Sequence, residues 1–275
     1  MAPTRVASFL FLFFLVSGTY TSSVHGAADD DTASFVYAGC SQGRYAAGTQ
    51  YESGVDSVLT SLANSAPYAP YANTTSPASS AVSAVSGLYQ CRSDLASSIC
   101  TSCVRSAINR LSSLCAWSSG GAVQLRGCFV RYGNDSFVGK PNTAVLFKKC
   151  GGGSPDAGAG AMAMRDSALG ALASEAAPGY RAGGAGGVQA MAQCVGDLDA
   201  KACSECVSAA AAQLKAGCGN AGAGEVYLGK CYARFWSNGG GFVSSGAGNR
   251  RLALAVAVAG GFFASSLAYL PAVLM

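Results

Sequence analysis

Ten of the twelve cysteines in this 275-residue chain fall into two runs of five with identical intervals. Cys91, Cys100, Cys103, Cys115 and Cys128 recur as Cys194, Cys203, Cys206, Cys218 and Cys231, each 103 positions later (194 − 91). One further cysteine leads each run, Cys40 and Cys150, closing the strand-like segments Phe35 to Gly39 and Val145 to Lys149. Other positions keep the same offset: Asp94-Leu95 with Asp197-Leu198, Val104 with Val207, Leu111 with Leu214, and Val123/Leu125 with Val226/Leu228. Four consecutive intervals do not stay fixed by chance. The chain is a tandem duplication of a six-cysteine module of roughly a hundred residues, the first copy over 34–138 and the second over 142–243.

Two sixes of cysteine point to disulfides if the compartment is oxidising. The N-terminus supports that: Arg5, the apolar run Phe9 to Val16 and the small residues Gly26 to Ala28 make residues 1–27 a secretory signal peptide. As a membrane anchor the apolar run is too short. Secretion makes Asn73-Thr74-Thr75 and Asn134-Asp135-Ser136 candidate glycosylation sites, Asn73 in a Ser/Pro/Thr/Tyr-rich loop and Asn134 after a strand. From Leu252 to Met275 the chain is apolar over a bilayer-spanning length. Residues 252–275 are either a type I transmembrane helix or a signal exchanged for a GPI anchor. The positive-inside bias favours the second, because Arg250 and Arg251 precede the run and no basic residue follows it. Against it stands the short spacer after Gly246. Both readings hold the protein on the membrane, facing outward.

The positive mean hydropathy comes largely from these two ends, and the remainder is rich in Gly, Ala and Ser. A net charge of +4 is scattered, with Lys148-Lys149 and Arg250-Arg251 the only adjacent basic pairs and no aromatic ladder beside them. Nucleic-acid binding has little support. Cys100-Thr-Ser-Cys103 and Cys203-Ser-Glu-Cys206 have the spacing of zinc ribbons and redox dithiols. Zinc needs a second close ligand pair per module, and the six-cysteine frame argues against redox, so structural bridges are expected instead. The one histidine, His25, lies in the signal region, which removes Ser-His-Asp and Cys-His catalysis and His-ligated metal from the mature chain. Asp94 and Asp197 recur in both copies and are read as helix N-caps rather than acid–base residues. No enzyme and no cofactor are expected.

Val104, Ala107, Ile108, Leu111 and Cys115 keep helical spacing within Asp94 to Leu114, as do Val207, Ala210, Ala211, Leu214 and Cys218 in the second copy. Val55, Leu59 and Leu62 mark an earlier helix, whereas Val123 to Tyr132 and Val226 to Phe235 read as strands. The expected class is α+β: two tandem disulfide-stapled modules, each an antiparallel sheet packed on two helices. Gly139 to Thr143 is a short connector. The Gly/Ala-rich stretch Ala182 to Gly187 stands where the first module has a richer loop.

The C-x8-C-x2-C run resembles the plant DUF26, or Gnk2-homologous, domain. The resemblance also rests on Leu88-Tyr89-Gln90-Cys91-Arg92-Ser93-Asp94-Leu95, Ala122-Val123-Gln124-Leu125-Arg126-Gly127-Cys128 and Leu146-Phe147-Lys148-Lys149-Cys150-Gly151. Two such domains with a signal peptide, a hydrophobic tail and no kinase resemble the plasmodesmata-located branch of that family. The resemblance implies five-stranded antiparallel sheets on two helices. It also implies the pairs Cys40–Cys115, Cys91–Cys100, Cys103–Cys128, Cys150–Cys218, Cys194–Cys203 and Cys206–Cys231. It further implies a plasma-membrane protein lining plasmodesmata, restricting cell-to-cell movement, linked to callose and docking viral movement proteins. A mannose-binding antifungal branch grips sugar with Asn, Arg and Glu. The matching positions here are Ser41, Ala122 and Gly133, then Gly151, Glu225 and Trp236, and none keeps its contact. Mannose binding by that mechanism is not expected. The alternative to a plasmodesmal regulator is a lectin-like or antifungal protein that binds cell-surface carbohydrate or another apoplastic ligand.

Overall fold

The computed structural model of the chain describes residues 31–77, 84–152, 158–174 and 179–237. The signal segment 1–27 and the tail 252–275 lie outside the described residues. Among the described residues no helix is long and apolar enough to cross a membrane.

The first copy runs β1 (Phe35–Cys40), α1 (Gln50–Ser65), β2 (Tyr71–Thr75), β3 (Ser86–Cys91), α2 (Ser97–Leu114), β4 (Gly120–Leu125) and β5 (Cys128–Gly133). The second runs β6 (Val145–Cys150), α3 (Ala159–Ser174), β7 (Tyr180–Ala185), β8 (Val188–Cys194), α4 (Ala200–Gly217), β9 (Ala223–Leu228) and β10 (Cys231–Ser237). Each sheet has five strands, in the orders β1-β4-β5-β3-β2 and β6-β9-β10-β8-β7, and every pairing is antiparallel. The duplication extends to irregularities: β1 slips register between Phe35 and Tyr37, and β6 does so between Val145 and Phe147.

Local chemistry explains the elements. Thr49 caps α1, its Oγ1 accepting the Glu52 N–H at 3.4 Å while the Glu52 carboxylate accepts the Gly48 N–H at 2.6 Å. Val55, Val58, Leu59 and Leu62 then bury one helix stripe. On α2 the buried stripe is Cys100, Cys103, Val104, Ala107 and Leu111. It packs on the sheet face that carries Tyr89, Val123, Leu125, Val130 and Tyr132. In the second copy α3 and α4 cover Val188, Ala190, Ala192, Val226 and Phe235 in the same way.

The disulfides pair Cys40 with Cys115, Cys91 with Cys100 and Cys103 with Cys128. They pair Cys150 with Cys218, Cys194 with Cys203 and Cys206 with Cys231. These are the pairs implied by the family resemblance, and none crosses between copies. The two members of each CxxC go to different partners, so neither motif is a redox dithiol or a zinc pair.

Four expectations need correction. Val123 to Tyr132 is not a single strand but the hairpin of β4 and β5, and Val226 to Phe235 likewise spans the hairpin of β9 and β10, each turned at two residues between the strands. Asp94 and Asp197 lie three residues before their helices begin and cap neither. The capping position is Ala96 in the first copy, which has no oxygen to offer, and Asp199 in the second, whose carboxylate accepts the Ala202 N–H at 2.8 Å. Asn73 stands on edge strand β2 rather than in a loop, with its side chain exposed. The stretch Ala182 to Gly187 is strand β7 and a tight turn into β8, made possible at Gly186 by a φ of +56°.

Candidate functional site

Alternation along the strands gives each sheet a second face, turned away from its helices. In the first copy it carries Leu88, Gln90, Ala122 and Phe129; in the second, Gln193, Glu225, Tyr227, Tyr232 and Arg234. These two faces meet. Leu88, Phe129 and Phe137 form a buried cluster with Val195 of the other copy, and the Tyr37 ring meets Tyr227 edge-on at 6.2 Å.

The seam between them is unusually polar. Gln90 and Gln193 are equivalent residues, and each reaches into the opposite copy. Gln193 Nε2 donates to the Cys91 carbonyl and to Ser93 Oγ, both at 2.9 Å, and its Oε1 accepts the Ser93 N–H at 3.2 Å. Gln90 Oε1 accepts the N–H of Gly196, the counterpart of Ser93, at 2.8 Å. The contact is therefore two-fold in character, as between identical subunits. Gly196 is required there, because a Cβ would lie 2.8 Å from Tyr71 Cγ.

Charge completes the seam. The Glu225 carboxylate, 2% exposed, takes Arg126 of the first copy at 3.1 Å and Arg234 of its own at 3.3 Å. Arg126 also approaches Asp31 at 3.5 Å. A carboxylate this deep is tolerated only with opposite charge beside it. Asp197, 3% exposed, pairs with Lys230 and accepts the N–H of Gly139, at the start of the connector, at 2.8 Å. Asp94, its counterpart, instead pairs with Arg92 at 2.7 Å. Burial lowers the Lys230 pKa, with Asp197 opposing. Burial pushes the Tyr227 phenol up to about 12, Glu225 adding and the nearby arginines opposing. One recess in the seam, lined by Tyr37, Gln193, Lys230 and Tyr232, has about 30 Å³ open to water-sized probes, room for a water molecule.

Beside the seam a cleft of about 480 Å³ opens, a size typical of small-ligand sites. Its floor is Tyr37 to Gly39 of β1 and Gly120 to Ala122 of β4. Arg131, Asn134 and Asp135 also line it, together with Asn142 of the connector and Leu146 of β6. Ser41 and Ala122, two positions where the resemblance would place sugar contacts, line this cleft. Gly133, the third, is buried, and Asp135 Oδ1 occupies the space a Cβ would need. In the second copy Glu225 is committed to its ion pairs and the Gly151 N–H to the Ala223 carbonyl at 2.8 Å. Among the described residues no cluster of His, Cys, Asp and Glu is arranged to hold a metal, and no cysteine is free.

Sequence reasoning did not single out the seam. One signal was present: Gln90 and Gln193 keep the 103-residue offset, so both copies carry glutamine at the same strand position on the face turned away from the helices. Arg126 and Lys230 gave no such signal, since neither has a basic counterpart in the other copy.

Fold and seam define a class: a tandem, disulfide-stapled α+β protein whose two copies are joined sheet to sheet. The salt stress response/antifungal domain family matches residues 39–135 and 161–238. The chain belongs to that family, which comprises the DUF26 or Gnk2-homologous domains. It is 44% identical over 256 residues to plasmodesmata-located protein 6 of Arabidopsis thaliana, covering 91% of this chain and 85% of that one. With plasmodesmata-located protein 7 of the same plant it shares 41% over 242 residues, covering 87% and 80%. Among solved structures, the tandem DUF26 ectodomain of the Arabidopsis thaliana receptor-like protein PDLP8 superposes with a TM-score of 0.71 at 39% identity. It covers 75% of this chain and 99% of its own. That of PDLP5 gives 0.70 at 38%, covering 74% and 100%.

Proposed function

We propose that this chain is a non-enzymatic, membrane-anchored extracellular protein of plasmodesmata that restricts cell-to-cell traffic and promotes callose deposition. The observation that carries this reading is the 44% identity to a plasmodesmata-located protein along 91% of the chain. The fold supports a binding or scaffolding role: six disulfides suit the oxidising cell exterior, and both helix-covered outer surfaces stay available to partners. Those partners are a wall carbohydrate or apoplastic protein and, by family resemblance, viral movement proteins. Raised expression should reduce the spread of a free fluorescent protein from single transformed epidermal cells and increase callose staining at wall junctions. Unchanged spread and staining at matched protein levels would contradict the proposal.

A second reading, binding of a cell-surface carbohydrate, is favoured by the 480 Å³ cleft alone. A glycan array probed with the purified ectodomain separates the two. Mannose is not the expected ligand, because Ser41, Ala122 and Gly133 lack the amide, guanidinium and carboxylate that grip sugar hydroxyls.

A further inference from the structure

We propose that the cleft between the two copies holds the chain's own glycan, attached at Asn134, and that this glycan bridges the modules and closes the cleft to external ligands. The inference rests on secretion of the chain but not on its residence at plasmodesmata.

Asn134 opens the sequon Asn134-Asp135-Ser136, and six formed disulfides place the chain in the compartment where such sequons are modified. It is the first residue after β5, its side chain is exposed, and it is itself part of the cleft wall. The turn that carries it is fixed. Asp135 is held by Arg131 at 2.5 Å, the Arg131 guanidinium lies 4.0 Å over the Phe137 ring, and the Phe137 N–H donates to the Asp135 carbonyl at 2.8 Å. Phe137 is 5% exposed and packs with Val195 of the second copy. A glycan leaving this turn therefore starts from a defined point at the rim.

The cleft suits a sugar in size and lining. Its volume of about 480 Å³ falls in the range that encloses small organic ligands, enough for about one or two pyranose rings. A Cβ at Gly39 would meet nothing within 4 Å, so the floor there is open. Ser41 and Ser119 present a hydroxyl pair 3.0 Å apart, and Asn142, whose Oδ1 accepts the Ala144 N–H at 2.9 Å, also lines the cleft with its amide. Small residues provide the room, and hydroxyl and amide groups provide hydrogen-bond partners. Asn73, the other sequon, offers the contrast: it is exposed on edge strand β2 and is not among the residues lining this cleft.

The test uses the full-length protein from plant cells treated to keep oligomannose glycans. Glycopeptide mass spectrometry first reads occupancy. Endoglycosidase H is then applied to native and to denatured protein, with hydrogen exchange followed across residues 36–41 and 119–123. The expected result is an occupied Asn134 whose glycan resists cleavage in native protein and is released after denaturation, while any Asn73 glycan is released from both. Asn134→Gln and Ser136→Ala should each raise exchange in the two segments about tenfold, and Asn73→Gln should leave it unchanged. An unmodified Asn134, equal cleavage in the native and denatured protein, or unchanged exchange in both sequon variants would overturn the proposal. If either variant fails to accumulate, the cleavage comparison on the wild-type protein still decides.

Discussion

At the residue scale, the seam concentrates ionisable groups that water would otherwise solvate, and two consequences can be measured. Glu225 faces Arg126 at 3.1 Å and Arg234 at 3.3 Å with 2% exposure. Glu225→Gln keeps the shape and removes the charge, leaving two guanidinium groups against a neutral amide. Denaturant unfolding should show a loss of about 3 kcal/mol, since breaking a buried ion pair from one side exposes the desolvation cost of the other. A change within about 0.5 kcal/mol, the range of ordinary surface substitutions, would show that the network contributes nothing. The second consequence concerns tyrosine. Tyr227 keeps its proton up to about 12 against 10.0 when unfolded, and burial likewise raises Tyr37, Tyr132 and Tyr232. Above pH 10 the unfolded chain releases phenolic protons that the folded chain retains, so stability is full below pH 10 and falls between 10 and 12. Absorbance at the phenolate band should rise for these residues only as the circular-dichroism signal collapses. Complete ionisation near pH 10 with the fold intact would contradict their burial.

At the scale of elements, legibility followed chemical contrast. The helix stripe Val55, Leu59 and Leu62, and the stripes ending in Leu111 and Leu214, stand out against polar neighbours, and the structure places them on α1, α2 and α4. Helix α3 escaped because its sequence, Ala-Gly-Ala-Met-Ala-Met-Arg-Asp-Ser-Ala-Leu-Gly-Ala-Leu-Ala-Ser, is nearly uniform around its circumference. What anchors it is Leu169 and Leu172, together with Arg181 of β7, which is 1% exposed and donates to the Leu172 carbonyl at 2.8 Å. A buried arginine serving a helix end has no periodic signature. The Gly-rich strand β7 shows no strand pattern for a related reason, since Gly183 and Gly184 carry no side chains to alternate. The seam stayed hidden because polar residues on a strand signal solvent until a second sheet is known to cover them. Gly196→Ala tests that covering. A Cβ there would lie 2.8 Å from Tyr71 Cγ and 3.1 Å from Gln90 Oε1, so overpacking should cost about 1–3 kcal/mol. Gly183→Ala, with nothing within 4 Å of its new Cβ, is the control and should cost less than about 0.5 kcal/mol. Equal thermal midpoints for the two variants would show that the sheets do not meet as described.

At the scale of the whole molecule, duplication and divergence have separate roles. Cysteines and core positions preserved at one offset keep each copy a stapled α+β unit. The divergent residues, including Arg126 facing Glu225 and Lys230 facing Asp197, distinguish the joining surfaces while the Gln90/Gln193 exchange keeps its two-fold form. The result is one body in which the helices of each copy lie on the sheet face turned away from the seam. Whether the scaffold belongs to plasmodesmata is decided most directly by position in the living cell. A fluorescent protein inserted between Ala28 and Asp29 precedes Thr32, which is 4% exposed and whose carbonyl accepts the Gly127 N–H at 2.9 Å. Expressed in leaf epidermis at native levels, this fusion should give paired puncta across shared walls that coincide with callose staining. A uniform outline of the cell surface, or signal confined to the apoplastic fluid, would contradict the account.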